Sequence, residues 1–267
     1  MRALVRRAFP LLLALVPAVA QSLELGLYGG RRPTLTLELR SPEGWFRLQQ
    51  GALGLGWAGA VEFGPLGRLG YGLGMGLGAA GWGVEGRAAG SLGPWAASLE
   101  GRYSTVPGAH LWVGETREDG LGLRLSGRYR LDAQRTLGLL LGFQSPQAGP
   151  AHGGGELSYS LRQAQTHTLG LGVEDSRVYA LWGWRGELDE AGTLLEVALR
   201  AGQHNRLDAS LAAPLDEALN LLKLGLTLAY PLAFSLRVEA YGLRANVAYD
   251  GEFSLWLRYT VSLGGGE

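Results

Sequence analysis

The sequence predicts an all-β chain folded as an antiparallel transmembrane β-barrel, and three observations predict it. Apolar residues alternate with polar residues or glycine from Leu23 to Leu263, the period of strands with one apolar face. That apolar face is built mainly of leucine, whereas packed soluble β-cores favour valine and isoleucine. No stretch beyond the N-terminus reads with helical period or reaches the ~18 apolar residues of a spanning helix, so strands must carry any membrane span.

Taken in order, the chain opens with Arg2, Arg6 and Arg7, an apolar run from Phe9 to Val16, and the small-x-small triplet Ala18-Val19-Ala20. This is the pattern of a cleaved signal peptide over residues 1–20, leaving 21–267 for the barrel. Leu23, Leu25 and Leu27 form a first strand, and Leu35, Leu37 and Leu39 a second that ends at the turn Ser41-Pro42-Glu43-Gly44. Trp45 to Gln50 is ambiguous: Phe46 and Leu48 have the opposite parity to Leu53, Leu55 and Trp57, so a bulge or turn near Gly51 is expected. The next strand, Leu69 to Gly78, is apolar at every odd position and glycine at every even one. Glycine in a strand costs about 0.5–1 kcal/mol relative to alanine, so Gly70, Gly72, Gly74, Gly76 and Gly78 form an expensive, bare face.

Further strands follow around Trp82–Arg87, Trp95–Ser104, Leu111–Val113, Leu121–Leu131 and Leu137–Phe143, with a long loop expected over Gln144–Gly155. The second half repeats the scheme at Leu157–Leu161, His167–Val173, Val178–Trp184, Leu195–Leu199, Leu207–Leu211, Leu222–Tyr230, Phe234–Val238 and Phe253–Leu263. Bacterial single-chain barrels have even strand numbers, so the expectation is about sixteen strands joined by short turns, with fourteen the alternative.

Composition excludes several functions. The 267 residues carry a formal net charge of zero, which gives no grip on nucleic acid, and the absence of cysteine removes thiolate chemistry and disulfides. The histidines His110, His152, His167 and His204 lack metal-ligand spacing, so no metal and no cofactor are expected. A hydrolytic pairing such as His152 with Ser145 is the enzymatic alternative, and a polar turn accounts for it equally well. Gly76 to Gly81 matches the spacing of a dinucleotide fingerprint, but a strand follows it where a helix would be needed.

A soluble sandwich is the competing architecture. Against it, the face opposite the leucines is rich in Gly, Ser and Ala, as a confined lumen requires, and aromatics bracket the apolar rows. Trp95 and Tyr103 fall roughly 20 Å apart in height at a tilt near 45°, close to an outer-membrane apolar band. In its alternation, turns and signal peptide the chain resembles the bacterial outer-membrane β-barrel proteins, porins and small channels in particular. It departs from them at its end, where such proteins usually carry Phe or Trp and this chain has Val261, Leu263 and Gly264-Gly265-Gly266-Glu267.

That resemblance implies residence in the outer membrane, a lipid bilayer as surround and passive diffusion of small hydrophilic solutes, compatible with a homo-oligomer. The inward parity collects Glu62, Glu85, Glu100, Glu174, Glu196, Asp208, Glu239 and Glu252 against Arg87, Arg102, Arg124, Arg128, Arg130, Arg200, Lys223, Arg237 and Arg258. Their near balance predicts weak ion selectivity, locally favouring anions where Arg124, Arg128 and Arg130 share one strand. The glycine face should either accept an inward-folded segment lying flat or widen the pore. A non-conducting structural or docking barrel is the second reading; a barrel hydrolase and a secreted soluble sheet come after it.

Overall fold

The alternation becomes strand along nearly its whole length. The computed structural model describes residues 22–29, 34–49, 51–64, 67–107, 119–203, 205–216 and 220–263; residues 1–20, the expected strand Leu111–Val113, His110 and His204 lie outside them. The strands of the first half are β1 (Ser22–Gly29), β2 (Thr34–Ser41), β3 (Gly44–Gln49), β4 (Ala52–Glu62), β5 (Gly67–Gly78), β6 (Trp82–Leu92), β7 (Trp95–Ser104), β8 (Gly120–Arg130) and β9 (Arg135–Ser145). Those of the second are β10 (His152–Arg162), β11 (Thr166–Glu174), β12 (Arg177–Glu187), β13 (Leu194–Gly202), β14 (Asn205–Pro214), β15 (Leu221–Tyr230), β16 (Ala233–Ala240), β17 (Leu243–Tyr249) and β18 (Phe253–Ser262). Each pairs antiparallel with the next, and β18 returns to pair with β1 from Ser22↔Ser262 to Gly29↔Leu255, closing an 18-stranded barrel.

Eighteen strands correct the expected sixteen or fourteen, for local reasons. The parity flip after Gln49 is a hairpin, not a bulge: Gly51, with φ of 83°, reverses the chain. Phe46 then faces Leu55 and Leu48 faces Leu53 on one side of the sheet. The strand overlooked in the sequence is β17, whose Ala245 and Asn246 dilute the apolar signal. It is split from β16 by Tyr241 and Gly242, both with positive φ (49° and 77°), a turn whose twist matches that of a hairpin.

The long loop expected over Gln144–Gly155 is also corrected. Gln144 and Ser145 belong to β9, and Gly153, Gly154 and Gly155 are β10 residues paired with Phe143, Gly142 and Leu141.

Burial is inverted relative to a water-soluble protein. The most deeply buried large side chain is Glu38, 1% exposed, while Leu73 and Leu171 on the outer face are 60% and 66% exposed. No second sheet covers these leucines among the described residues, which removes the sandwich alternative. Apolar surface loses about 25 cal/mol for every Å² left in water, so this exterior is built for a hydrocarbon surround. Aromatics mark both edges: Trp82 packs on Tyr103 (5.4 Å between centroids) at one end of β6–β8 and Trp95 on Tyr129 (4.4 Å) at the other.

Two turns outside the wall are fixed by aspartates. The Gln134 N–H (2.8 Å), aided by the Arg135 guanidinium, holds Asp132 below the usual carboxylate range in the β8–β9 turn. Hydrogen bonds from Thr193 do the same for Asp189 in the β12–β13 turn.

The exterior makes a prediction that separates lipid from water. Leu73→Arg, in mid-strand on the outer face, should destabilise the barrel in phospholipid vesicles by about 2–4 kcal/mol, read by urea unfolding. A surface leucine of a soluble sheet would tolerate the same change within about 0.5 kcal/mol.

Candidate functional site: the lumen

Eighteen strands enclose more space than their inward side chains can fill. A cavity of about 1070 Å³ runs along the inner wall from β2 to β15. No residue of β1, β16, β17 or β18 lines it, because side chains fill that sector. Glu24 pairs with Arg258 at 3.5 Å, and Arg258 lies over the Trp256 ring at 5.0 Å. With its amide turned to satisfy both neighbours, Asn246 accepts from Trp256 Nε1 at 3.2 Å and donates to Ser235 Oγ at 2.8 Å. The cavity is therefore off-centre.

At the edge of the filled sector stands Glu38, paired with both Arg40 and Arg47. A carboxylate this buried is expensive unless charged partners answer it; the Arg47 guanidinium donates to its Oε2 and the Arg40 guanidinium forms an ion pair at its Oε1. Arg47 also lies 4.3 Å over the Trp45 ring. The indole in turn lies on bare backbone: a Cβ at Gly54 would come within 3.0 Å of it, one at Gly74 within 2.8 Å, and one at Gly56 would occupy its place.

The predicted glycine face is thus inside the barrel, and at Gly74 its occupants are Trp45 from β3 and Glu85 from β6. Of the other members, Gly72 lines the cavity beside Arg87, Gly70 is half-buried with only backbone near it, and Gly76 is buried in register with Gly54 and Gly83. Gly78 sits opposite Ala52 at the strand end.

On the far wall a polar network crosses β10 to β15. Tyr179 Oη donates to Glu156 at 3.0 Å, Arg200 bridges Glu156 and Asp208 at 3.2 Å each, and Arg206 and Thr227 also bond to Asp208. Between the two walls, Arg102 donates to Gln144 at 2.9 Å and faces Glu85 in register. Arg87, Glu100 and Arg124 stand side by side on β6, β7 and β8, line the cavity, and form no salt bridge among the described residues.

The expected arginine row of β8 is strung along the barrel rather than gathered at one level. Arg124 lines the cavity, whereas Arg128 and Arg130, both exposed, lie toward the end of β8 that leads to the Asp132 turn. Glu196 sits opposite Arg185 and Ser210 outside the cavity, and Arg237 opposite Gly225 and Asn246. Glu239 is held by Lys223 (3.4 Å) and Arg244 (3.3 Å). His152 faces the lumen across from Gln144 while Ser145 shares the outer face with Leu121, so the hydrolytic pairing is not assembled. His167 sits on the outer face opposite Trp184, and the described residues hold no cluster of metal-ligating groups. Gly76 to Gly81 leads from strand to strand with no helix, so no pyrophosphate cradle exists there.

Trp45 and Trp256 are among the inward residues that sequence reasoning missed, with Gln144, Glu156, Tyr179, Arg206 and Asn246. The two tryptophans share the parity of charged residues in their strands, beside Arg47 and Arg258, and that placement was the available signal.

No family model matches the chain, and no curated protein does. Among solved structures it is similar to a triple mutant of the Rhodopseudomonas blastica porin, at 8% identity over 90% of this chain and 98% of that one, with a TM-score of 0.48. It is also similar to the Pseudomonas putida OprB low-pH structure (8%; 90% and 91%; 0.42) and the P pilus usher PapC translocation pore (12%; 91% and 60%; 0.40).

The Glu38 cluster can be tested on its own. Glu38→Ala leaves Arg47 buried without its carboxylate and should cost about 3 kcal/mol in urea unfolding, the lower end for a broken buried pair because Arg40 stays half exposed.

Proposed function

We propose that the protein is an outer-membrane channel that passes small hydrophilic solutes by diffusion, with a mild preference for anions. Residues 1–20 serve as its export signal and 21–267 as the barrel. The observation that carries this reading is the asymmetry of charge along the cavity. Its wall is lined by Arg40, Arg47, Arg87, Arg102, Arg124, Arg177, Arg200 and Arg206, whereas Glu38, behind Arg40 and Arg47, and Asp208, paired with Arg200 and Arg206, do not line it. Water in the lumen therefore meets guanidinium more than carboxylate, although the chain has no net charge. Glu85, Glu100, Glu156, Glu174 and Asp175 also reach the cavity, so the preference is weak.

Arg87 and Arg124 are the strongest selectivity residues, because neither spends its charge on a salt bridge among the described residues and both line the open path. Arg128 and Arg130 act at a mouth, where screening over a Debye length of about 8 Å dilutes their field. In a planar bilayer under a potassium chloride gradient, Arg87→Ala with Arg124→Ala should lower the chloride-to-potassium permeability ratio about twofold. Arg128→Ala with Arg130→Ala should shift it less. An unchanged reversal potential in the first pair removes those residues from the selectivity, and a folded barrel that gives no conductance steps overturns the channel.

A further inference from the structure

The boundary between the filled and open parts of the lumen is a stack of three layers: the glycine wall of β4 and β5, the Trp45 indole, and the Arg47 guanidinium. We infer that this stack is the constriction of the channel, with Trp45 setting its width, an inference that rests on the reading of the barrel as a pore. Position is the first support. Trp45, Arg47 and Arg40 line the cavity, while the strands on the closed side of β2 contribute nothing to it.

Depth is the second support. Trp45, next to the β2–β3 turn, pairs with Gly56, and Gly56 with Gly74, residues near the middle of β4 and β5, so the stack stands at mid-height of the taller β4–β5 wall. Rigidity is the third. Glu38 holds Arg47 from the buried side, Arg47 caps the ring, and backbone supports it from beneath, so the indole has no room to settle further into the wall. A charged cap on an indole face is itself an attractive contact, which favours one position of the ring.

This gives the glycine strand a role. Any Cβ at Gly56 would take the space of the indole, and one at Gly74 would press its edge; either would push the ring toward the cavity. The glycines of β4 and β5 therefore set the pore width from behind, by letting a large aromatic side chain lie flat.

The experiment compares single-channel conductance of the full chain with that of Trp45→Ala, Gly56→Ala and the double variant, each checked for β-content by circular dichroism. Trp45→Ala should raise conductance about 1.5-fold or more, and Gly56→Ala should lower it by a similar factor. The double variant should conduct like Trp45→Ala, since no indole remains to be displaced. If Trp45→Ala does not fold, Trp45→Leu carries the same expectation with a smaller increase. A conducting parent whose conductance is unchanged by Trp45→Ala overturns the inference, as does a Gly56→Ala loss that persists in the double variant. A silent parent beside a conducting Trp45→Ala supports the stack as the narrowest point while overturning free passage. Silence in both overturns the inference and the channel together.

Discussion

The pairing of β1 with β18 is the contact on which everything else depends. In hydrocarbon no solvent answers a backbone N–H or C=O, so a strand at a free edge would leave a row of them unpaired at several kcal/mol each. Closure removes both edges at once. It also fixes the remaining problems: eighteen strands set a circumference, the circumference sets a lumen, and the lumen must be filled or left to water. The protein does both, packing one sector with Glu24, Asn246, Trp256 and Arg258 and leaving a cavity of about 1070 Å³ against the rest.

Outside, the requirements are loose, because lipid chains ask only for apolar surface and impose no jigsaw. That is why leucine can serve almost everywhere and why the outer pattern is so regular. Inside, they are strict. Each inward charge needs a partner or water, and partners come from neighbouring strands facing it in register or nearly so, as Glu38 takes Arg40 and Arg47 and Asp208 takes Arg200, Arg206 and Thr227.

This division explains what could be read from the sequence. Period two is a local property, so the class of fold, the inward parity of Glu85, Arg87, Glu100 and Arg102, and the bare face of β5 were all legible. Strand number was not, because it turns on single positions: φ at Gly51 separates β3 from β4, and the Tyr241-Gly242 turn separates β16 from β17. The site was legible as a set of inward residues but not as a set of contacts. Arg200 and Glu156 are 44 residues apart, and Arg102 and Gln144 are 42, so nothing local announces that one arginine is spoken for while Arg124 is not. The loop expected over Gln144–Gly155 failed for a related reason: glycine was read as a break, although the same sequence uses glycine as an ordinary strand residue throughout β5.

The electrostatic character of the lumen follows from side-chain length as much as from composition. A glutamate carries its charge on a short arm and an arginine on a long one, with a guanidinium that stays wet while its stem lies along the wall. When equal numbers of both line a concave surface, carboxylates end near the backbone and guanidiniums nearer the axis. Glu38 behind Arg47 is the extreme case, the acid 2% exposed at its side chain and the base 14%. A neutral protein can thereby hold its guanidiniums nearer the axis than its carboxylates, and a wall stripped to glycine under Trp45 lets an aromatic ring lie in the opposite direction, away from the axis. Lumen charge and lumen width then come from the same geometric choice: how far each inward residue holds its functional group from the sheet.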